Sequence, residues 1–95
     1  MGDEKRIVES YLVRQVEKRG GMCIKFIPDH FAGFPDRMVL TNDGQTIYVE
    51  TKAPHVDGAA KLQLIVHDRL RRRGHRVELI NTREAVDAFI ASVVW

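Results

Sequence analysis

Apolar residues recur at Ile7, Val8, Tyr11, Leu12 and Val16, the three-and-four spacing that makes one face of a helix. The spacing predicts a helix from about Asp3 to Arg19, with acids in its first turn and Gly20-Gly21 as its stop. The period then changes. MCIKFI, residues 22–27, reads as a short strand ended by Pro28, and PDHFAGFP as a loop. RMVL and TIYVETKA flank Asn42-Asp43-Gly44, residues that tolerate positive φ, so they predict a β-hairpin closed by Pro54. HVDG is a further loop. A second helix is predicted from about Ala59 to Arg73, with Gly74 as its C-cap, and RVELI as a fourth strand. Asn81 with Glu84 three residues on fits a capping box. It would open a third helix carrying Ala85, Val86, Phe89, Ile90 and Val93 on one face.

The order is α-β-β-β-α-β-α, an α/β fold. Its first three strands form an antiparallel meander. The fourth follows a helical crossover and is expected to pair in parallel. The result is a mixed sheet flanked by helices. At 95 residues the chain is one domain, residues 1–95, with a thin core.

The hairpin carries charge where a thin sheet needs core. Alternation puts Ile47, Val49, Thr51 and Ala53 on one face and Thr46, Tyr48, Glu50 and Lys52 on the other. An ExK on one strand is usually a solvated ion pair. Asp36 alters that reading, because the turn returns the start of the first arm to the end of the second. Two carboxylates and an ammonium then converge at one sheet end. Carboxylate oxygens suit Mg²⁺, and a nearby lysine can orient water or neutralise a phosphate. Asp29 also follows a proline, but it leads into loop, whereas Asp36 runs directly into a strand.

Composition narrows the classes. The chain is 44% hydrophobic and 29% charged, which is ordinary for a globular domain. No apolar run approaches the ~20 residues of a membrane helix, and MGDEKRIVES lacks a signal peptide's apolar centre. A cytoplasmic location is expected. One cysteine, Cys23, allows neither an internal disulfide nor a Cys-based zinc site, and the four histidines show no HExxH spacing. A net charge of +2 does not announce a nucleic-acid partner. RLRRRGHR, residues 69–76, is either a solvated helix end or a phosphate-contacting patch that includes Arg72 and Arg73.

GFPDR followed by ETK, with thirteen residues between Asp36 and Glu50, resembles the PD-(D/E)XK nuclease signature. More narrowly, G-x-P-D-R, E-x-K-A-P, a glutamine about a dozen residues on and an R-R-G-H-x-V run resemble the VRR-NUC family, the virus-type replication-repair nucleases. The resemblance covers nearly the whole chain and implies a restriction-endonuclease-like core. It also selects Asp36 over Asp29. It implies a glutamate on the first helix, matched by Glu9, and a glutamine on the second, matched by Gln63, which would orient the lysine or the water. Read from the residues alone, Glu9 borders the apolar stripe and Gln63 points inward, as a boundary residue and a core glutamine also would. Lys25 matches a lysine the family often carries on the first strand, where it either faces the DNA phosphate or has no part in binding. Arg37 belongs to the motif, on the opposite side from Asp36, in a structural or DNA-contacting role. Tyr48 shares the charged face and either contacts DNA or packs. His67 and Cys23 read as core residues.

The resemblance implies metal-dependent phosphodiester hydrolysis. Asp36, Glu50 and the main-chain carbonyl of Thr51 would bind Mg²⁺ or Mn²⁺, with Glu9 completing or supporting the set. Lys52, steadied by Gln63, would position the attacking water. A chain this short has no room for a base-reading module, which argues against sequence specificity, and the resemblance to structure-selective nucleases implies branched DNA, a four-way (Holliday) junction or a flap, as the substrate. Symmetric cutting, the thin core and the apolar VVW end argue for a homodimer. The other readings are a general nuclease, a binding module of the same fold that has lost its chemistry, and a restriction-type enzyme.

Overall fold

In a computed structural model, which describes residues 3–54 and 60–95, the elements are α1 (Asp3–Lys18), β1 (Met22–Lys25), β2 (Arg37–Leu40), β3 (Thr46–Thr51), α2 (Lys61–Arg72), β4 (Arg76–Ile80) and α3 (Arg83–Ser92). The predicted order holds throughout. The HVDG loop and the expected helix start at Ala59 lie outside the described residues.

One sheet runs β1-β2-β3-β4, antiparallel between the first three strands and parallel between β3 and β4. The hairpin turns on Gly44 at φ 90°, which a side chain would strain. Val8, Leu12 and Val16 line α1 at every fourth position and are fully buried against Val39, Ile47, Val49 and Ile80 of the sheet. Val86, Phe89 and Ile90 of α3 complete this core. Ile7, expected on the buried face, is 53% exposed, since the stripe that meets the sheet is only one residue wide. The cap of α3 also differs from expectation. Thr82, not Asn81, holds it: its hydroxyl accepts from the Ala85 N–H at 3.0 Å, one residue later than the capping box implied.

α2 crosses the opposite face of the sheet and buries only Val66 and His67. Its Leu62, Leu64 and Ile65 stay about half exposed. At the end of the chain, Trp95 folds back. Its indole N–H donates to the Ile90 carbonyl at 3.0 Å, and its ring lies so close to Gly21 that a Cβ there would be 2.8 Å from it. The outward tryptophan expected as part of a dimer contact is therefore tied to its own chain.

Candidate active site

The β2–β3 register pairs Arg37 with Val49, which places Asp36 beside Glu50 at the end of the hairpin. The loop that delivers Asp36 is fixed by Gly33. That residue has φ 85°, and a Cβ on it would come within 3.1 Å of Leu62 and Val66 of α2. Backbone conformation and contact both require glycine there. Asp36 is 9% exposed. Its carboxylate accepts from the Thr51 N–H at 3.2 Å and from the Thr51 hydroxyl at 3.2 Å.

Glu50 is only 2% exposed. One oxygen, Oε2, accepts from Gln63 Nε2 at 3.1 Å and lies 3.5 Å from Lys52 Nζ. The other, Oε1, is buried and has no hydrogen-bond partner among the described residues. Burial raises the Glu50 pKa, and the charge of Asp36 adds to the rise, while Lys52 and Lys5 oppose it. The face that a lone ExK would leave solvated is thus a covered, electrostatically costly one.

Gln63 reaches Glu50 because its other end is pinned. Its Oε1 accepts from the Ala60 N–H at 3.0 Å, half of a capping box at the start of α2. With the oxygen committed to that donor, the amide NH₂ faces the carboxylate. Gln63 therefore holds Glu50, where it was expected to steady Lys52 or the water.

Asp36, Glu50, Thr51, Lys52 and Gln63 come together; Glu9 does not join them. It accepts from Arg37 Nε and Nη2 at 3.2 and 3.1 Å, in a pair that is nearly buried. Among the described residues no three histidine, cysteine or acidic side chains converge closely enough to hold a metal. α1 instead sends Lys5, whose Nζ is 3.2 Å from Asp36 Oδ2. The sequence carried one signal for it: Lys5 stands four residues before Glu9, on the same side of the helix.

Beside this cluster, His67 is 1% exposed, and its Nε2 has no partner among the described residues. Burial lowers its pKa, helped by Arg71 and Lys52, so the ring is neutral at pH 7. Tyr48 packs edge-to-face on Phe34 and His75. Lys25 pairs with Arg37 across β1 and β2, which places it on the opposite face from Tyr48 and Glu50. Arg72 pairs with Asp68, and Arg73 donates to the Arg69 carbonyl near the end of α2. Burial pushes the Cys23 thiol up to about 11, so it is unreactive at neutral pH.

No family model matches the chain. It is 38% identical over 77 residues to "Putative nuclease p44" of Acyrthosiphon pisum secondary endosymbiont phage 1, covering 81% of this chain and 82% of that protein. A solved structure described as a VRR_NUC domain superposes with a TM-score of 0.90 at 27% identity, over 96% of this chain and 98% of the other.

Proposed function

This chain belongs to the VRR-NUC family of nucleases, and we propose that it is a Mg²⁺- or Mn²⁺-dependent endonuclease that hydrolyses DNA phosphodiester bonds. The observation that carries the metal is Glu50 Oε1, a buried carboxylate oxygen without a hydrogen bond, next to the carboxylate of Asp36. Such an oxygen costs free energy unless something positive meets it. All-oxygen donors suit a hard divalent ion that keeps part of its water shell. Asp36, Glu50 and the Thr51 main-chain carbonyl would hold it, and Glu9 would contribute only by fixing Arg37. When bound, the ion supplies Lewis-acid polarisation of the phosphoryl oxygen and a more acidic water.

The chain's own residues do the rest. Thr51 aims Asp36, and Gln63 aims Glu50. Lys52, 19% exposed beside Glu50, orients the attacking water and offsets charge developing on the phosphate. Covering by α2 keeps bulk water from the buried side of the site. The substrate we propose is branched DNA, a four-way junction or a flap, cut by a homodimer in the cytoplasm. A C2 pair would present two identical sites to two strands. The retained Asp36, Glu50 and Lys52 disfavour an inactive binding module.

The test is cleavage of supercoiled plasmid, flap and four-way-junction DNA with Mg²⁺, using wild type, Glu50→Gln and Lys52→Ala. Junction-selective paired nicks are expected from the wild type and none from either variant. Wild-type rates in both variants would refute the site.

A further inference from the structure

α1 offers two opposite charges one turn apart, and β2 begins with two adjacent charges that answer them. Glu9 holds Arg37, and Lys5 holds Asp36. The two pairs differ in burial. Glu9 and Arg37 side chains are 12% and 15% exposed, whereas the Lys5 side chain is 41% exposed against 12% for Asp36. The first pair anchors α1 on the strand. The second leaves its lysine room to move.

The remaining partners of Asp36 have no such room. Thr51 is fully buried, and one of its two donors is a backbone N–H at the sheet end. That bond cannot open without disturbing β3. A divalent ion sits about 2.1 Å from its carboxylate oxygens, while the Lys5 ammonium already stands 3.2 Å from Asp36 Oδ2. Two cations crowded on one carboxylate repel each other strongly in a partly dry site.

We propose that Lys5 is a built-in competitor for the metal: its ammonium neutralises Asp36 while the site is empty of metal, and must withdraw before the ion loads. Lys5 then sets the ion concentration at which the nuclease becomes active. In the metal-free protein it also limits repulsion between Asp36 and Glu50, consistent with its acidifying influence on Glu50. This role rests on the metal reading of Asp36 and Glu50 given above.

The experiment is calorimetric titration of the metal-stripped full chain with Mn²⁺, comparing wild type, Lys5→Met and Lys5→Arg. Lys5→Met is expected to bind roughly fivefold more tightly, the upper range for releasing a half-exposed ion pair. Lys5→Arg is expected to bind like the wild type. Metal-free Lys5→Met should also melt lower than wild type and gain more on adding Mn²⁺. Lys5→Gln serves the same purpose should the methionine variant fail to fold. Equal or weaker Mn²⁺ binding without the lysine, in a wild type that does bind, overturns this inference and leaves the metal reading intact. Binding by neither protein overturns both.

Discussion

Ionised Glu50 is held in place against its own electrostatics. Its folded pKa is raised above the unfolded value, first by burial and then by Asp36. A raised pKa contributes stability below the unfolded value and loses it as pH rises through the folded one. At neutral pH, without metal, Glu50 is therefore a net cost. Glu50→Gln should melt higher than the wild type in metal-free buffer at pH 7, by roughly 5 °C, the scale of ~1 kcal/mol in a domain of this size. The same variant should lose at least about 10²-fold in cleavage rate. Scanning calorimetry and a nicking assay on one preparation check both, and a lower melting temperature would deny that the carboxylate is strained. Glu50, Asp36 and Lys52 were legible in the sequence because strand alternation and a well-marked turn fix their neighbours. Lys5 was not, because a pair between a helix's first turn and a strand depends on how the helix lies across the sheet. The Glu9–Arg37 pair was hidden for the same reason.

Among the elements, α2 is the least buried helix against the sheet, and His67 is on its buried side. Its folded pKa is lowered by burial and by the charges of Arg71 and Lys52. A lowered pKa in a base means that the unfolded chain takes up protons first. The stability it contributes is complete above the unfolded value of about 6.5 and drains away as pH falls through the folded one. The unfolding free energy from urea titrations should decline from about pH 6.5 downward, at up to about 1.4 kcal/mol per pH unit, the midpoint falling with it, and His67→Leu should flatten that decline. A wild-type midpoint that holds level from pH 6.5 to 5 would show that the ring protonates without opening the helix. At this scale Gly74, expected as the cap of α2, stands one residue past the cap at Arg73, while the sequence carried element order, strand pairing and the stop of α1, because hydrophobic period and turn chemistry are local. It misplaced the α3 cap by one residue, where Asn81 and Thr82 are both good caps and only backbone geometry separates them. It did not settle how far Leu62, Leu64 and Ile65 would be covered, since apolar side chains beside the inward stripe look alike whether their partner is the same chain or another.

For the whole molecule, those three side chains relocate the proposed dimer contact. The C-terminal tryptophan is folded home, whereas α2 leaves Leu62, Leu64 and Ile65 about half exposed beside the residues that cover the site. Sedimentation equilibrium should find a dimer at micromolar concentration, and Ile65→Glu should shift it to monomer and turn paired junction cuts into single nicks. A wild-type monomer at that concentration would count against a paired enzyme. The small hydrophobic core assembled by α1, α3 and the sheet needs nothing from α2, so the helix is free to serve the site and an interface together. Gln63 makes that sharing tangible. One end of its amide starts the helix and the other grips Glu50. A tug on the carboxylate must therefore be felt in the first turn of α2, and fraying there must slacken the carboxylate by the same free energy. The Leu64 amide proton, bonded to the Ala60 carbonyl at 3.0 Å, becomes a clock: its rate of exchange with deuterated water reports, from outside the site, how firmly the site is held.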